Sequence, residues 1–163
     1  MTLSDFIIRE IKPEDNQEVA LLIRNVLIEF GVPKVGTAYE DKATDYMFET
    51  YQKERAQYFV IEFEGKIVGG AGFAPLDNYN GNMCELQKMY FLPITRGKGL
   101  GNELINHCLN KAKVLGFEQC YLETMPYMDA ARALYKKNGF KNLDEPIGNT
   151  GHYSCNVWMI KEL

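Results

Sequence analysis

The feature that most constrains this chain of 163 residues is the segment FLPITRGKGLGNEL at positions 91–104. It places glycines at every second position in front of an apolar helical pattern, at Gly97, Gly99 and Gly101. Glycine has no Cβ, so successive backbone N–H groups can turn toward one point. A helix that begins there adds unpaired N–H groups and the positive end of its dipole, and Arg96 and Lys98 add cationic donors. The segment therefore predicts a site for a diphosphate or a similar anion.

The same glycines could serve a different role. A glycine-rich turn that only tightens a strand–helix corner stays open as the plain structural alternative. The P-loop pattern needs Ser or Thr after Gly-Lys, but Lys98 is followed by Gly99. The dinucleotide fingerprint G-x-G-x-x-G would need glycine where Asn102 and Leu104 stand. Both nucleotide motifs are broken, so a dinucleotide-binding oxidoreductase is the weakest of the functional hypotheses.

Charge and composition exclude several classes of function. The chain has 22 acidic and 18 basic side chains, a formal net charge of −4, so no nucleic-acid partner is expected. Four cysteines and two histidines form no metal-ligand spacing, so no metal is expected. Reduced thiols of this kind are typical of a cytoplasmic protein. The charged N-terminus and the lack of a long apolar run predict no signal peptide and no membrane partner.

The hydrophobic pattern predicts a single domain in which strands and helices alternate. Strands are expected at 6–11, 57–76 (a hairpin), 84–92 and 117–125 and in the tail, and helices at 13–30, 45–54, 100–115 and 129–138. The order β-α-α-β-β-β-α-β-α-β-β indicates a mixed α/β sheet. The segment 31–45 reads as an unusually long loop, which is typical of binding loops.

Two motifs resemble the GNAT superfamily of N-acetyltransferases. RGKGLG at positions 96–101 resembles the family's R/Q-x-x-G-x-G/A loop, and ELQKMYFLP at 85–93 resembles the strand before it. ARALYKKNGF at 131–140 resembles the later A-x-x-L-Y-x-x-x-G-F segment. The resemblance implies a GNAT-like α/β fold, a mixed and mostly antiparallel central sheet flanked by helices, in one N-acetyltransferase domain over 1–163.

The resemblance also implies a cofactor and a reaction. Acetyl-CoA would be the co-substrate, and its acetyl group would pass directly, in a ternary complex, to a primary amine of a small molecule or peptide. The CoA-binding core would span about 84–140, with a strand that separates from its neighbour and with the cofactor-binding residues Met89, Tyr90, Phe91, Arg96, Gly97, Lys98, Gly99, Leu100 and Gly101. A non-catalytic acyl-CoA-binding sensor of the same fold is the alternative, and a homodimer is compatible with the family.

Acetyl transfer to an amine makes chemical demands that suggest two catalytic residues. An aliphatic amine has a pKa of about 10.4, so a base must remove a proton before it attacks. Glu85 matches a position where many family members carry a catalytic glutamate, although it could instead face solvent or pair with Lys88. Tyr135 matches the tyrosine that lies near the CoA sulfur in relatives and would act as the acid, although helical spacing also suits a core residue.

The acceptor side is expected at about 31–56 and 144–158. Tyr39 and Glu40 in the long loop and His152 in the tail are the candidate substrate contacts, since acidic and aromatic groups suit a cationic amine. Cys155 could be a nucleophile with His152 as base, but a spacing of three on a strand entry would place the two on opposite faces. One position departs from the family pattern, since Met128 stands where relatives often carry an asparagine.

Overall fold

The computed structural model describes residues 2–126, 128–152 and 154–163, which form one α/β domain. The strands are β1 (Phe6–Glu10), β2 (Gln57–Phe63), β3 (Lys66–Pro75), β4 (Met83–Phe91), β5 (Gln119–Thr124), β6 (Lys141–Leu143) and β7 (Val157–Glu162). The helices are α1 (Asn16–Glu29), α2 (Met47–Thr50), α3 (Leu100–Val114) and α4 (Asp129–Lys137). Within these described ranges, no helix is long and apolar enough to cross a lipid bilayer.

The strands form one mixed sheet in the order β1-β2-β3-β4-β5-β7-β6. Its pairings are antiparallel except for β4 with β5, which run parallel and are joined by α3 as a crossover helix. The element order and the mostly antiparallel sheet predicted from the sequence are confirmed.

The sheet lies between two helical layers because its strands alternate apolar side chains between their two faces. Along β2, Phe59 and Ile61 pack into a core with Leu104 of α3. Val60, between them, packs into a second core with Ile23 of α1. Both faces of the central strands are therefore buried, with α3 and α4 on one side and α1 and α2 on the other.

An extra residue in β4 changes the direction of its side chains halfway along. Gly72 of β3 pairs with Gln87, whereas Gly70 pairs with Tyr90, so one residue of β3, Ala71, opposes two of β4, Lys88 and Met89. Lys88 lies in this bulge with a φ of 49°, a left-handed conformation that is uncommon outside glycine. Bulges of this kind bend a strand and redirect its side chains.

The bulge is held by a tyrosine from β2. The hydroxyl of Tyr58 donates a 2.8 Å hydrogen bond to the carbonyl oxygen of Lys88. Its ring crosses β3 at Gly70 and Gly72, where an added Cβ would come within 2.6 Å and 2.5 Å of Tyr58 atoms. The glycines of β3 therefore make room for the side chain that satisfies the bulged carbonyl.

The two parallel strands separate soon after they meet. Pairing of β4 with β5 runs from Met83–Gln119 to Glu85–Tyr121 and continues no further, although β4 extends to Phe91. Beyond Glu85, the edge of β4 that faces β5 is left without a strand partner among the described residues, as the family resemblance implied.

The predicted second helix is shorter than expected. In place of a helix over 45–54, a 3-10 turn at Lys42–Asp45 leads into the single-turn α2. Tyr46, with φ −132° and ψ 50°, interrupts the helical backbone between them. The hydroxyl of Thr50 donates to the Tyr46 carbonyl at 2.7 Å, a local bond that competes with helix continuation.

Loss of the Tyr58 hydroxyl should destabilise the fold through the bulge. We expect Tyr58→Phe to lower the free energy of unfolding by about 1–2 kcal/mol, because the partly buried carbonyl of Lys88 loses its donor. Urea denaturation would measure the change. Tyr46→Phe is the control, since Tyr46 is 62% exposed. Loss of its hydroxyl should change the free energy of unfolding by less than half as much. Equal effects would show that the bond to the bulge contributes nothing.

Candidate active site

A groove runs along the free edge of β4 between the start of α3 and the start of α4; we call it the α3 groove. All the predicted cofactor residues except Lys98 line it, namely Met89, Tyr90, Phe91, Arg96, Gly97, Gly99, Leu100 and Gly101. Ala131 and Leu134 of α4 form the opposite wall. The glycine segment and the strand before it thus lie on one continuous surface.

The glycines shape the start of α3. Gly97 and Gly99 have φ of 74° and 77°, so a side chain at either position would strain the backbone. A Cβ on Gly101 would lie 3.0 Å from the side chain of Leu134, so this glycine allows α4 to approach. Gly99 is the N-cap, and no side chain caps the helix among the described residues. The N–H groups of the first turn, with the positive end of the helix dipole, suit an anion in the groove.

The two cations of the segment are both engaged with the protein. The guanidinium of Arg96 donates to the two carboxylate oxygens of Glu29 at 2.5 Å and 2.9 Å and to the carbonyl of Phe91 at 2.8 Å. The ammonium of Lys98 donates to the carbonyl of Ile94 at 2.7 Å. Arg96 lines the groove while paired, so an anion there would compete with Glu29 for its donors.

A second cavity, here the central cavity, lies where β4 and β5 separate. It brings together the two predicted catalytic residues, Glu85 and Tyr135, with several polar groups that surround them. Met89, Tyr90 and Met128 line both this cavity and the α3 groove. The two spaces are therefore contiguous, and Met128, which replaces the family's asparagine, forms part of the shared wall.

Glu85 is a buried carboxylate at the floor of the central cavity. Its side chain does not face solvent, since the residue is only 5% exposed. Burial raises the pKa of this carboxyl to about 7, assisted by the nearby charge of Glu123. A hydrogen bond from Gln87 Nε2 to Glu85 Oε1, 2.6 Å long, opposes that rise, as do the charges of His152 and Lys88. A carboxyl with such a pKa exchanges protons near neutral pH.

Lys88 pairs with the long loop and not with Glu85. Its ammonium lies 3.7 Å from Oδ2 of Asp41, and Nε2 of His152 lies 2.6 Å from the same oxygen. Burial lowers the pKa of Lys88. Burial alone would lower the pKa of His152 too, but its bond with Asp41 raises it. Asp41 thus joins the long loop to the tail at the edge of the central cavity.

The other two predicted substrate contacts lie away from these cavities. Tyr39 is held beneath the ammonium of Lys34, 5.0 Å from its ring centroid. Glu40 is exposed and accepts a 2.6 Å hydrogen bond from the backbone N–H of Gly36. Asp41, the next residue, points inward instead. Sequence alone could not tell which of these adjacent acids faces the site, because the loop has no regular period.

Tyr135 is a core residue that also lines the central cavity. Its ring packs edge-on against Phe140 with centroids 5.9 Å apart, and the residue is 7% exposed. Burial raises its pKa well above the ordinary value, so the phenol is protonated at neutral pH. Within the described residues its hydroxyl makes no hydrogen bond, and Tyr135 lines the central cavity.

A third space, the tail chamber, adjoins the central cavity. Glu123, His152 and Cys155 line both, and Trp158 forms the outer wall. Glu123 accepts a 2.7 Å hydrogen bond from Tyr121 and another from the hydroxyl of Thr150. Glu123 lines both cavities, although no sequence motif singles it out. Its position in β5 could have indicated the site. Tyr121 pairs with Glu85, and Glu123 lies two residues after Tyr121, on the same face of the strand.

The expectation that His152 and Cys155 sit on opposite faces of a strand is wrong. The two residues lie in a turn in which the N–H of Cys155 donates to the carbonyl of His152 at 3.0 Å, and β7 begins only at Val157. Burial raises the pKa of the Cys155 thiol to about 12, so it is protonated and a poor nucleophile near neutral pH. Among the described residues, no cluster of His, Cys, Asp and Glu is placed to hold a metal ion.

Comparison with known proteins assigns the family. The model of the acetyltransferase (GNAT) family matches residues 24–140. The uncharacterized N-acetyltransferase YjgM of Escherichia coli K12 is 41% identical over 158 residues, 96% of this chain and 95% of that protein. The chain belongs to the GNAT acetyltransferase family. This GNAT protein is therefore an acyltransferase, which leaves no ground for the oxidoreductase hypothesis.

Solved structures share the fold of this GNAT acetyltransferase. An acetyltransferase of the GNAT family from Staphylococcus aureus Mu50 superposes with a TM-score of 0.83 at 22% identity, covering 96% of this chain and 98% of that one. PaiA N-acetyltransferase from Thermoplasma acidophilum, solved in complex with coenzyme A, superposes with a TM-score of 0.68 at 19% identity over 97% and 99%. These likenesses confirm the predicted fold class.

The raised pKa of Glu85 predicts a pH-dependent stability. Between pH 4.5 and about 7 the unfolded chain ionises this carboxyl while the folded protein keeps it protonated, so wild-type stability falls as pH rises. Glutamine does not ionise, so the free energy of unfolding of Glu85→Gln should rise relative to that of the wild type by about 3 kcal/mol between pH 4.5 and pH 8. Chemical denaturation at each pH measures the difference. The exposed Glu145→Gln should show no such gain, and a flat difference for Glu85→Gln would refute the shift.

Proposed function

We propose that this enzyme transfers an acetyl group from acetyl-CoA to a primary amine by direct transfer in a ternary complex. The observation that carries the proposal is a buried carboxyl, Glu85, whose pKa burial raises to about 7, in a cavity that shares lining residues with the α3 groove and with the tail chamber. Acetyl-CoA supplies an activated acetyl thioester, and the two neighbouring spaces would receive donor and acceptor separately.

The α3 groove fits the proposed co-substrate. The left-handed Gly97 and Gly99 and the uncapped first turn of α3 offer N–H donors to a diphosphate, and Arg96 can exchange Glu29 for a phosphate. The edge of β4 from Met89 to Phe91 has no strand partner among the described residues, and the carbonyl of Phe91 accepts a hydrogen bond from Arg96. This edge would offer backbone groups to an extended amide-containing arm and to the thioester oxygen. The coenzyme A complex of PaiA, which shares this fold, supports the assignment.

Proton movements follow from the two side chains of the central cavity. The acceptor amine arrives protonated, and Glu85 Oε2 takes its proton because a carboxyl of pKa about 7 is partly ionised at pH 7 and becomes more so as the pH rises. Oε1 of the same group is held by Gln87. Tyr135 Oη holds a proton that the departing sulfur can receive. Neither step needs the thiol of Cys155.

The amine would enter through the tail chamber. Glu123 supplies a carboxylate at its junction with the central cavity, which favours a cationic acceptor over an anionic one. A small molecule or the amine of a peptide would satisfy this chemistry. Roles for Tyr39 and Glu40, pairing into a homodimer and a cytoplasmic location stay predictions.

Calorimetric titration of the purified protein with acetyl-CoA, CoA and NAD tests the proposal first. We expect acetyl-CoA to bind in the micromolar range, about −8 kcal/mol, with CoA competing for the same site and NAD not binding. Absence of acetyl-CoA binding by folded protein would remove the transferase assignment and the acyl-CoA sensor alternative together. Turnover with any amine then separates the enzyme from the sensor.

The pH dependence of turnover should report Glu85. We expect kcat/KM to fall about tenfold per pH unit below pH 7, because protonated Glu85 cannot accept the ammonium proton. Glu85→Gln should lower kcat by about 10²–10⁴-fold and abolish this acidic limb. Steady-state rates over the range from acidic to mildly alkaline pH measure both. An unchanged limb in the variant would assign the base to another group.

Loss of the Tyr135 hydroxyl should affect chemistry and leave cofactor binding intact. We expect Tyr135→Phe to lower kcat by about 10-fold or more, because the leaving sulfur loses its proton donor, while the CoA dissociation constant changes less than twofold. Steady-state kinetics and calorimetry measure the two effects. Tyr79→Phe, a surface tyrosine outside the described cavities, is the control. Equal loss of binding and turnover would show that Tyr135 serves packing.

A further inference from the structure

One polar side chain touches the carboxylate of Glu85 from within β4. Gln87 lies two residues further along the strand and therefore on the same face, just before the bulge at Lys88. Its Nε2 donates to Glu85 Oε1 at 2.6 Å. Among the described residues, the Glu85 side chain makes no other hydrogen bond. Its second oxygen, Oε2, is therefore left to face the cavity.

A buried tyrosine contacts the other end of the same amide. The hydroxyl of Tyr51, directly after α2, donates to Oε1 of Gln87 at 2.6 Å, and Tyr51 is 3% exposed. Its ring packs against Tyr58 with centroids 5.2 Å apart, so the phenol is fixed in position. Burial raises the pKa of this phenol and keeps it protonated, which makes it a permanent O–H donor.

The two contacts fix which way the amide points. An ionised carboxylate only accepts hydrogen bonds, so Gln87 must turn its NH₂ toward Glu85 and its oxygen toward Tyr51. A phenol can donate to that oxygen, so the arrangement is satisfied at both ends. This orientation of the Gln87 amide suits the ionised form of Glu85, which is the form that can accept a proton.

We propose that Gln87 and Tyr51 are positioning residues for the base: Tyr51 orients the amide of Gln87, which holds Oε1 of Glu85 and leaves Oε2 directed at the amine. The inference rests on the proposed role of Glu85 and extends it to two residues that act through Glu85. It also links the base to the short helix α2, on the acceptor side of the protein. A buried donor to a carboxylate stabilises its charged form.

Several more groups act on the charge of Glu85 and must stay constant in a test. Glu123 comes from β5, Lys88 from β4 and His152 from the tail, and they act on Glu85 through their charges. Tyr121 and Cys155 are protonated neighbours on the same side, since the pKa of each is raised by burial. None of these is altered by changes at Gln87 or Tyr51, so a shift in the titration of Glu85 can be assigned to the lost contact.

The test compares three variants of the full chain: Gln87→Met, Tyr51→Phe and the control Tyr58→Phe. Tyr58 is an equally buried tyrosine packed against Tyr51, but its hydroxyl contacts the bulge and not Gln87. The Glu85 carboxyl is titrated by ¹³C NMR of glutamate-labelled protein and identified by the signal lost in Glu85→Gln. The acidic limb of kcat/KM is measured on the same variants.

We expect Gln87→Met to raise the pH at which Glu85 titrates by about one unit, a tenfold lower ionised fraction at a given acidic pH. Tyr51→Phe should raise the pH at which Glu85 titrates by a smaller amount, because the Gln87 amide remains but can turn. The acidic limb of kcat/KM should move with the carboxyl in both variants. Tyr58→Phe loosens the bulge but keeps both contacts of Gln87, so it should shift the titration by less than either variant.

Two results would overturn the inference: an unchanged titration in Gln87→Met, or equal shifts in Tyr51→Phe and Tyr58→Phe. A carboxyl that titrates higher in Gln87→Met while the acidic limb stays in place would be a different outcome. It would overturn the base role of Glu85 and with it the positioning of a base, although the measured contact would stand. The NMR and kinetic readouts therefore separate failure of the inference from failure of the proposed function.

Discussion

The site depends on the separation of β4 from β5 immediately after the Glu85–Tyr121 pair. Two strands that stayed paired would fill this region with backbone hydrogen bonds and leave no cavity. Because they part, the edge of β4 is free for a ligand on one side of the bulge, and Glu85 is buried on the other. The bulge at Lys88, held by the Tyr58 hydroxyl, sets the direction in which β4 leaves the sheet.

Electrostatics in the central cavity is a balance between burial and a few local contacts. Burial and Glu123 favour the protonated form of Glu85, while Gln87, His152 and Lys88 favour its ionised form. The result is a carboxyl that titrates near neutrality and not at the low pH of an exposed glutamate. Lys88 would itself be an unpaired buried cation without Asp41, so the long loop contributes to the same balance.

The acceptor side is assembled from segments far apart in the chain. Asp41 of the long loop meets His152 of the tail, and Ser154 donates its hydroxyl to the carbonyl of Val35 at 2.7 Å. These contacts hold two irregular segments against each other at the mouth of the central cavity. Irregular backbone of this length is tolerated because its polar groups are satisfied by such cross-links.

The sequence by itself determined the family, the order of strands and helices and the groove residues around Gly97 to Gly101, because these follow from local patterns: period, glycine placement and short motifs. It also named Glu85 and Tyr135, whose roles stay proposals. Only the tertiary structure decided that Asp41 and not Glu40 points inward, that Glu123 lies beside Glu85, and that Gln87 is held by Tyr51. Each of these depends on contacts between distant segments or on a bulge that resets side-chain direction, and neither leaves a periodic signal in the sequence.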